Sequence, residues 1–139
     1  PVELYEAEML DLLRRETGEY GALFSSFALH HLQTAEKQAF LRRCQERLIP
    51  GGRMLLVDVM RDDDQDLPAY LEAYCSLMER DWHGLNRQEL DFIIDHVRGN
   101  DVPETVTDTR RMALEAGFTR AESILLRNFH HLLCLEKSV

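Results

Sequence analysis

Cysteine is scarce and poorly spaced for a scaffold: the chain has three, Cys44, Cys75 and Cys134, an odd number with no C-x-x-C pair. That excludes a disulfide framework or a cysteine zinc site and suits reduced thiols in a cytoplasmic protein. Long apolar runs are also lacking. The best of them, Met54 to Val57, falls far short of the roughly 20 residues that cross a bilayer. The opening residues show no basic-then-apolar pattern, so no secretory signal is read there. Basic residues are few, with 16 Lys and Arg against 25 Asp and Glu, for a formal net charge of -9. So acidic a chain is a poor match for a phosphate backbone, and neither nucleic acid nor a membrane is expected as partner. Arg42, Arg43 and Arg47 read as the solvated side of a helix. There is no internal repeat and no low-complexity tract.

What remains is ordinary for a folded domain. The 139 residues, 45% hydrophobic and 29% charged, suit one unit with its own core. Val2-Glu3-Leu4-Tyr5-Glu6 alternates apolar with polar and predicts a short strand. Met9 to Arg15 predicts a brief helix, closed near Gly18. Ala22 to Ala28 is almost continuously small and apolar, the pattern of a strand covered on both faces. Thr34 is placed to cap a helix reaching Leu48, with Phe40, Leu41, Cys44 and Leu48 on one stripe. Pro50-Gly51-Gly52 ends it, and Met54 to Val57 forms a second buried strand that stops at Asp58. Strand, helix and strand with tight turns predict a βαβ unit, its strands parallel and its crossover right-handed.

Asp62-Asp63-Asp64 then reads as a solvated boundary loop. Asp66 caps a helix striped with Leu67, Tyr70, Leu71, Tyr74, Leu77 and Met78. Asn86 with Glu89 makes a capping box for a second, carrying Leu90, Ile93, Ile94 and Val97 and closed by Gly99-Asn100. A third, capped by Thr107 or Asp108, runs to Ala116 and stops at Gly117. The chain ends in two strands, Glu122 to Arg127 and His131 to Leu135, made antiparallel by a short turn.

Two stretches carry a family resemblance. Ser26-Phe27-Ala28-Leu29-His30-His31-Leu32 closes a strand, and one helix later Leu48-Ile49-Pro50-Gly51-Gly52 opens the next. In this order and spacing they resemble the class I S-adenosylmethionine-dependent methyltransferases, whose fourth strand ends in an S/N-F-x-L-H-H-L-like stretch before an L-x-P-G-G turn. The terminal strand pair resembles that family's sixth and seventh strands. The resemblance implies an α/β fold: a partial Rossmann-like methyltransferase sheet (residues 1–60), a helical insertion or substrate lid (61–118) and a terminal antiparallel hairpin completing the sheet (119–139). The family's glycine-rich cofactor loop has no counterpart, since no G-x-G occurs. The expectation is therefore the back half of such an enzyme, inactive alone, with an exposed sheet edge that invites a homodimer.

The resemblance also assigns candidate residues. S-adenosylmethionine is the implied cofactor, with Glu8, beside Met9, standing near the position of the family's adenine-binding Asp. Where the family commonly opens the fourth strand with an Asp, this chain has Tyr20-Gly21-Ala22. Ser25, Ser26 and Phe27 fall at the carboxyl end of a strand, where open α/β sheets bind ligands, and by resemblance near the methionine part of the cofactor. His30 and His31 are candidate general bases, with packing and capping as the plainer reading. Being adjacent, one is expected to face the pocket and the other away, and no metal site is expected. His130-His131 reads as structural or solvent-facing. Tyr70, Tyr74, Trp82 and His96 are candidate acceptor contacts from the insertion. Asp101-Val102-Pro103-Glu104-Thr105 resembles a D-x-P-E-T stretch of members that act on small molecules. Methyl transfer to a small-molecule acceptor is thus the leading expectation, and a non-catalytic methyltransferase-like binding module the alternative. A nicotinamide oxidoreductase is disfavoured by the terminal hairpin.

Overall fold

A computed structural model describes residues 2–139. Among these, the elements run α1 (Met9–Arg15), β1 (Tyr20–Ser26), a 3₁₀ turn (Leu29–His31), α2 (Thr34–Arg47), β2 (Leu48–Val59), α3 (Leu67–Asp81), α4 (Arg87–Asn100), α5 (Val106–Glu115), β3 (Arg120–Arg127) and β4 (His130–Glu136). The sheet order is β1-β2-β4-β3. β1 and β2 are parallel neighbours, as the βαβ pattern predicts, with Leu23 opposite Met54 and Ser25 opposite Leu56. β4 runs antiparallel to both β2 and β3. The two-residue hairpin between β3 and β4 holds Asn128 at φ 53°, a left-handed conformation that Asn tolerates.

Side chains alternate across a strand, so this register sorts the sheet into two faces. Leu23, Met54, Leu135 and Ala121 form one row, with Leu56 and Leu133 in the next. They are covered by Phe40, Leu41 and Cys44 of α2, by Met112 and Ala113 of α5 and by Leu10 of α1. On the opposite face Phe24 is 69% exposed and Ile124 58%. β1 was expected to be covered on both faces. Only one is covered by the described residues, because α1, α2 and α5 all pack on the same side.

Other expectations need correction. Residues 2–8 form no strand: alternation alone does not make one without a neighbour for the backbone groups, and Leu4 and Tyr5 stand exposed. α2 is capped by Gln33 in a capping box with Glu36, rather than by Thr34. Pro50-Gly51-Gly52 lies inside β2, not before it, as an irregularity where Tyr20 pairs with Leu48 and Ala22 with Arg53. Glycine is required at both points. Gly51 has φ +75°, and a Cβ on Gly52 would lie 2.9 Å from the Ile49 carbonyl oxygen. α5 begins earlier than predicted, capped by the Thr105 side chain, which accepts from the Asp108 amide. Thr107 is occupied instead by Asp63, to which its amide and hydroxyl donate at 3.1 and 2.6 Å. That pair of donors holds the Asp63 carboxyl below its usual range. One of the three acids read as solvated thus ties the loop to α5. The Asp66 and Asn86–Glu89 caps form as the sequence predicts.

Candidate functional site

A second buried cluster begins where the first ends. Residues of β2 alternate, so Asp58 faces the covered side while Val59 turns to the other, where Tyr70, Tyr74, Cys75 and Met78 of α3 meet Leu90, Ile94 and Val97 of α4. Between the clusters, at the carboxyl ends of β1 and β2, lies a cavity of about 200 Å³. Phe27, His30, His31, Tyr74, Trp82, His96 and Asp101 are among the residues lining it.

His30 is the most constrained of these. It is buried, and its Nδ1 faces the Asp58 carboxylate within hydrogen-bond reach. The same carboxylate accepts from the His30 amide at 3.1 Å and from the Val59 amide at 2.9 Å. Held at Nδ1, the imidazole directs Nε2 toward Asp101, 3.7 Å away. An imidazole fixed through one nitrogen by a carboxylate offers the other as base or ligand, the tautomer being set by the partner.

His31 does not face away from the pocket, as its adjacency to His30 had predicted. Alternation holds in a strand, but these residues sit in a 3₁₀ turn, where neighbours are about 120° apart. The two rings are 3.9 Å apart between centroids, and His31 Nδ1 lies 3.3 Å from Asp101 Oδ1. Burial and the neighbouring His30 push His31 below the ordinary histidine range, against the opposing pull of Asp101.

Asp101 follows directly on α4 and is 5% exposed. Burial pushes its carboxyl up, and His30, His31 and His96 pull it back. Its segment is fastened from several sides. The Val102 amide donates to the His30 carbonyl at 2.9 Å, and Arg61 donates through Nε to the Pro103 carbonyl at 2.8 Å. The Lys37 ammonium, buried within α2, donates to the Val102 carbonyl and lies 3.2 Å from Glu104. Desolvation lowers the Lys37 pKa, and Glu104 opposes that fall.

Phe27 follows β1 directly at φ 50° and meets His130 edge to face at 5.4 Å. Ser26 beside it is exposed and Ser25 half-buried. Tyr74 reaches the cavity, its hydroxyl 3.3 Å from His130 Nε2, and burial pushes its pKa up to about 12. Tyr70 stacks behind Tyr74 at 5.4 Å, fully buried and outside the lining. Trp82 caps the end of α3, and His96 on α4 lies 5.4 Å from His31, ring to ring. Glu8 and Met9 sit apart from the cavity. The Glu8 carboxylate caps α1, accepting from the Asp11 amide at 2.8 Å, and such amide donors lower its pKa. Met9 packs on the first cluster. His131 is buried in the sheet, with Nδ1 3.2 Å from the Ser123 hydroxyl.

Asp58 and Asp101 were not singled out from the sequence as site residues. A weak signal existed for each: Asp58 ends a buried strand at the ligand end of the sheet, and Asp101 opens the D-x-P-E-T stretch. Their meeting at His30 depends on the tertiary fold.

Solved structures share this fold. An O-methyltransferase family protein from Burkholderia thailandensis matches with TM-score 0.68 and 18% identity, over 98% of this chain and 36% of that one. Human N-acetylserotonin methyltransferase, in complex with SAM, matches with TM-score 0.66 and 17% identity, over 93% of this chain and 32% of that one. The fold is that of the class I S-adenosylmethionine-dependent methyltransferases.

In sequence, the chain is similar to the carboxy-S-adenosyl-L-methionine synthase of Pseudomonas aeruginosa strain UCBPP-PA14, 28% identical over 120 residues, 86% of this chain and 47% of that one. The enzyme of the same name from Stutzerimonas stutzeri strain A1501 is 25% identical over 121 residues. The chain thus spans about half the length of the curated relatives it matches. No family model matches it. Among the described residues, no helix is long and apolar enough to cross a membrane.

Proposed function

We propose that this chain supplies the acceptor side of an S-adenosylmethionine-dependent methyltransferase, in which His30 takes a proton from a small-molecule hydroxyl. The observation that carries the reading is the buried Asp58–His30 pair at the wall of an aromatic cavity. S-adenosylmethionine, when bound, supplies an electrophilic methyl group on sulfur. An acceptor hydroxyl is a poor nucleophile until its proton leaves, and a carboxylate-anchored imidazole is suited to receive that proton at Nε2. Asp58 fixes the ring and favours the imidazolium that forms. Tyr74 and Trp82 supply apolar surface that holds the acceptor and excludes water, with His96 at the rim.

The residues at the end of β1 fit the methionine side of the cofactor. The left-handed turn at Phe27 leaves Ser26 exposed at the sheet's carboxyl edge, where polar contacts to such a group are made. Glu8 and Met9 stand at the start of α1 for the adenine side. Lid behaviour of α3 and α4 fits their separate cluster over the cavity, and the unbridged Cys44, Cys75 and Cys134 suit a reducing compartment such as the cytoplasm. Self-association through the β1 edge, beside exposed Phe24, belongs to the same reading.

The test is turnover of methyl-labelled S-adenosylmethionine by this chain joined to the cofactor-binding half that the resemblance implies, over a panel of phenols and other small hydroxylated acceptors. His30→Gln is expected to lower kcat by roughly 10²–10⁴-fold while the KM for S-adenosylmethionine stays put. A folded variant with unchanged kcat removes His30 as base. The likeness to carboxy-S-adenosylmethionine synthases favours a second reading, in which S-adenosylmethionine is itself the substrate. With a carboxyl donor added to the assay, product mass separates the two, since one reaction leaves S-adenosylhomocysteine and the other S-adenosylmethionine with a donated carboxyl group in place of one methyl hydrogen. A non-catalytic binding module would form neither.

A further inference from the structure

We propose that His30, His31 and Asp101 form a binding site for a divalent first-row transition ion of the Zn²⁺ class. Each offers one ligand atom, and the three atoms all lie within 4.8 Å of one another. Asp101 Oδ1 is 3.3 Å from His31 Nδ1, and Asp101 Oδ2 is 3.7 Å from His30 Nε2. Bonds of about 2.0–2.1 Å to a tetrahedral ion place ligand atoms about 3.3–3.4 Å apart, so only small side-chain movements would close the set.

Two further observations point to a ligand here. Asp101 Oδ1 is buried with no hydrogen-bond partner among the described residues, although a buried carboxylate oxygen normally finds one. The 3.3 Å approach to His31 lacks hydrogen-bond geometry, and an ion between the two groups would satisfy both. The second is the Asp58–His30 contact, which sits on the imidazole nitrogen remote from the cluster. A carboxylate behind a ligating histidine is the recurring outer partner of metal sites, where it fixes the tautomer and raises ligand basicity.

The donor set selects the ion. Two imidazoles and one carboxylate favour Zn²⁺, Fe²⁺ or Co²⁺ over Mg²⁺ and Ca²⁺, which prefer all-oxygen shells. All three residues line the cavity, so a position left free by three protein ligands would be open to it, as in sites that bind substrate rather than purely structural ones. An acceptor hydroxyl entering that position would be held as its anion, the proton passing to solvent. The ion and the free nitrogen of His30 are then alternative means of ionising the acceptor. That consequence rests on the acceptor reading above, whereas the site itself does not.

The test is direct titration of the purified, chelator-stripped protein with Zn²⁺ by calorimetry and with Co²⁺ by visible absorption. The expected result is one ion per chain and a Co²⁺ spectrum of low coordination number. His31→Ala and Asp101→Asn are expected to weaken binding tenfold or more, while the exposed-loop variant His83→Ala leaves it unchanged. The His31 side chain is 41% exposed, so His31→Ala decides the matter should Asp101→Asn fail to fold. Absence of saturable binding overturns the site, as does equal affinity in wild type and His31→Ala. Formation of S-adenosylhomocysteine by the chain joined to its cofactor-binding half, followed in parallel with and without chelator, keeps the readings apart. Ion binding without transfer counts against the transfer reading alone, and transfer without ion binding against the ion site alone.

Discussion

Beneath the sheet, aliphatic side chains such as Leu41, Met54, Leu56, Leu133 and Leu135 pack against one another, and polar groups at the margin are paired, apart from the buried Arg47 Nε. Lys137 donates to the Gln45 and Leu48 carbonyls at 3.0 and 2.7 Å, and Gln45 to the Gly117 carbonyl at 3.1 Å. Under α3 and α4 the packing is aromatic. Tyr70, Tyr74 and Phe129 meet at 5.1–5.7 Å, with the buried Tyr70 hydroxyl lacking a partner among the described residues. The first cluster is built to fix positions, since close-packed aliphatics with largely satisfied polar margins leave few alternative arrangements. The second carries polar ends on large rings beside a cavity, which suits a surface that adapts to a ligand. Asp58 and Val59, adjacent on β2 and facing opposite ways, join the two.

Lys37 offers the largest test of this contrast. Its ammonium is buried in the first cluster's margin, yet what it holds is the Val102–Glu104 segment that carries Asp101 to the site. Lys37→Met leaves the Glu104 carboxylate, only 15% exposed, without its cation, and breaking a partly buried pair from one side costs about 3 kcal/mol. Urea unfolding should show that loss, and Lys37→Met/Glu104→Gln should recover part of it. A single-variant change well under 1 kcal/mol would mean that the clamp is ornamental and the contrast overdrawn.

Tyr70→Phe tests the other side with the opposite sign. Removing a buried hydroxyl that has no partner relieves a desolvation cost and leaves the ring stacking in place, so a gain of about 1 kcal/mol is expected. Thermal unfolding measures it. A loss of stability would show that the hydroxyl is satisfied and that the second cluster is as closely fitted as the first.

The same division governs what could be read from the sequence. The β1 and β2 segments, their parallel pairing and the terminal hairpin were legible because continuous apolar runs and short turns are local signals. The Asp66 and Asn86–Glu89 caps were legible for the same reason. Val2 to Glu6 misled, since alternation describes one side of a strand and says nothing of whether a neighbour exists. Thr105 was passed over for Thr107 because either can cap, and only the packing of Asp63 on Thr107 decides between them. At the site, the paired histidines stood out, but their shared orientation depends on a 3₁₀ turn that adjacency does not encode. Asp58 meets His30 across 28 residues of chain, and Asp101 arrives only after two further helices have folded over the sheet.

His131 gives the smallest expected effect and reaches across the boundary between the clusters. It points into the first cluster beside Ser123, while His130 points to Tyr74 of the second and to Phe27 at the cavity. Burial lowers the pKa of both below the ordinary 6.5, with Asp62 opposing the shift at His131 and Arg127 adding to it at His130. A histidine harder to protonate when folded binds more protons in the unfolded chain, so stability rises with pH between the folded and unfolded pKa values. Its contribution is therefore whole above pH 6.5 and declines as pH falls through the lowered folded value. His131→Asn removes the titration and can keep the Ser123 hydrogen bond. The variant's melting temperature should fall less steeply than that of wild type on acidification from pH 6.5. Parallel curves would mean that His131 remains as easily protonated folded as unfolded, and that water reaches the edge of the first cluster.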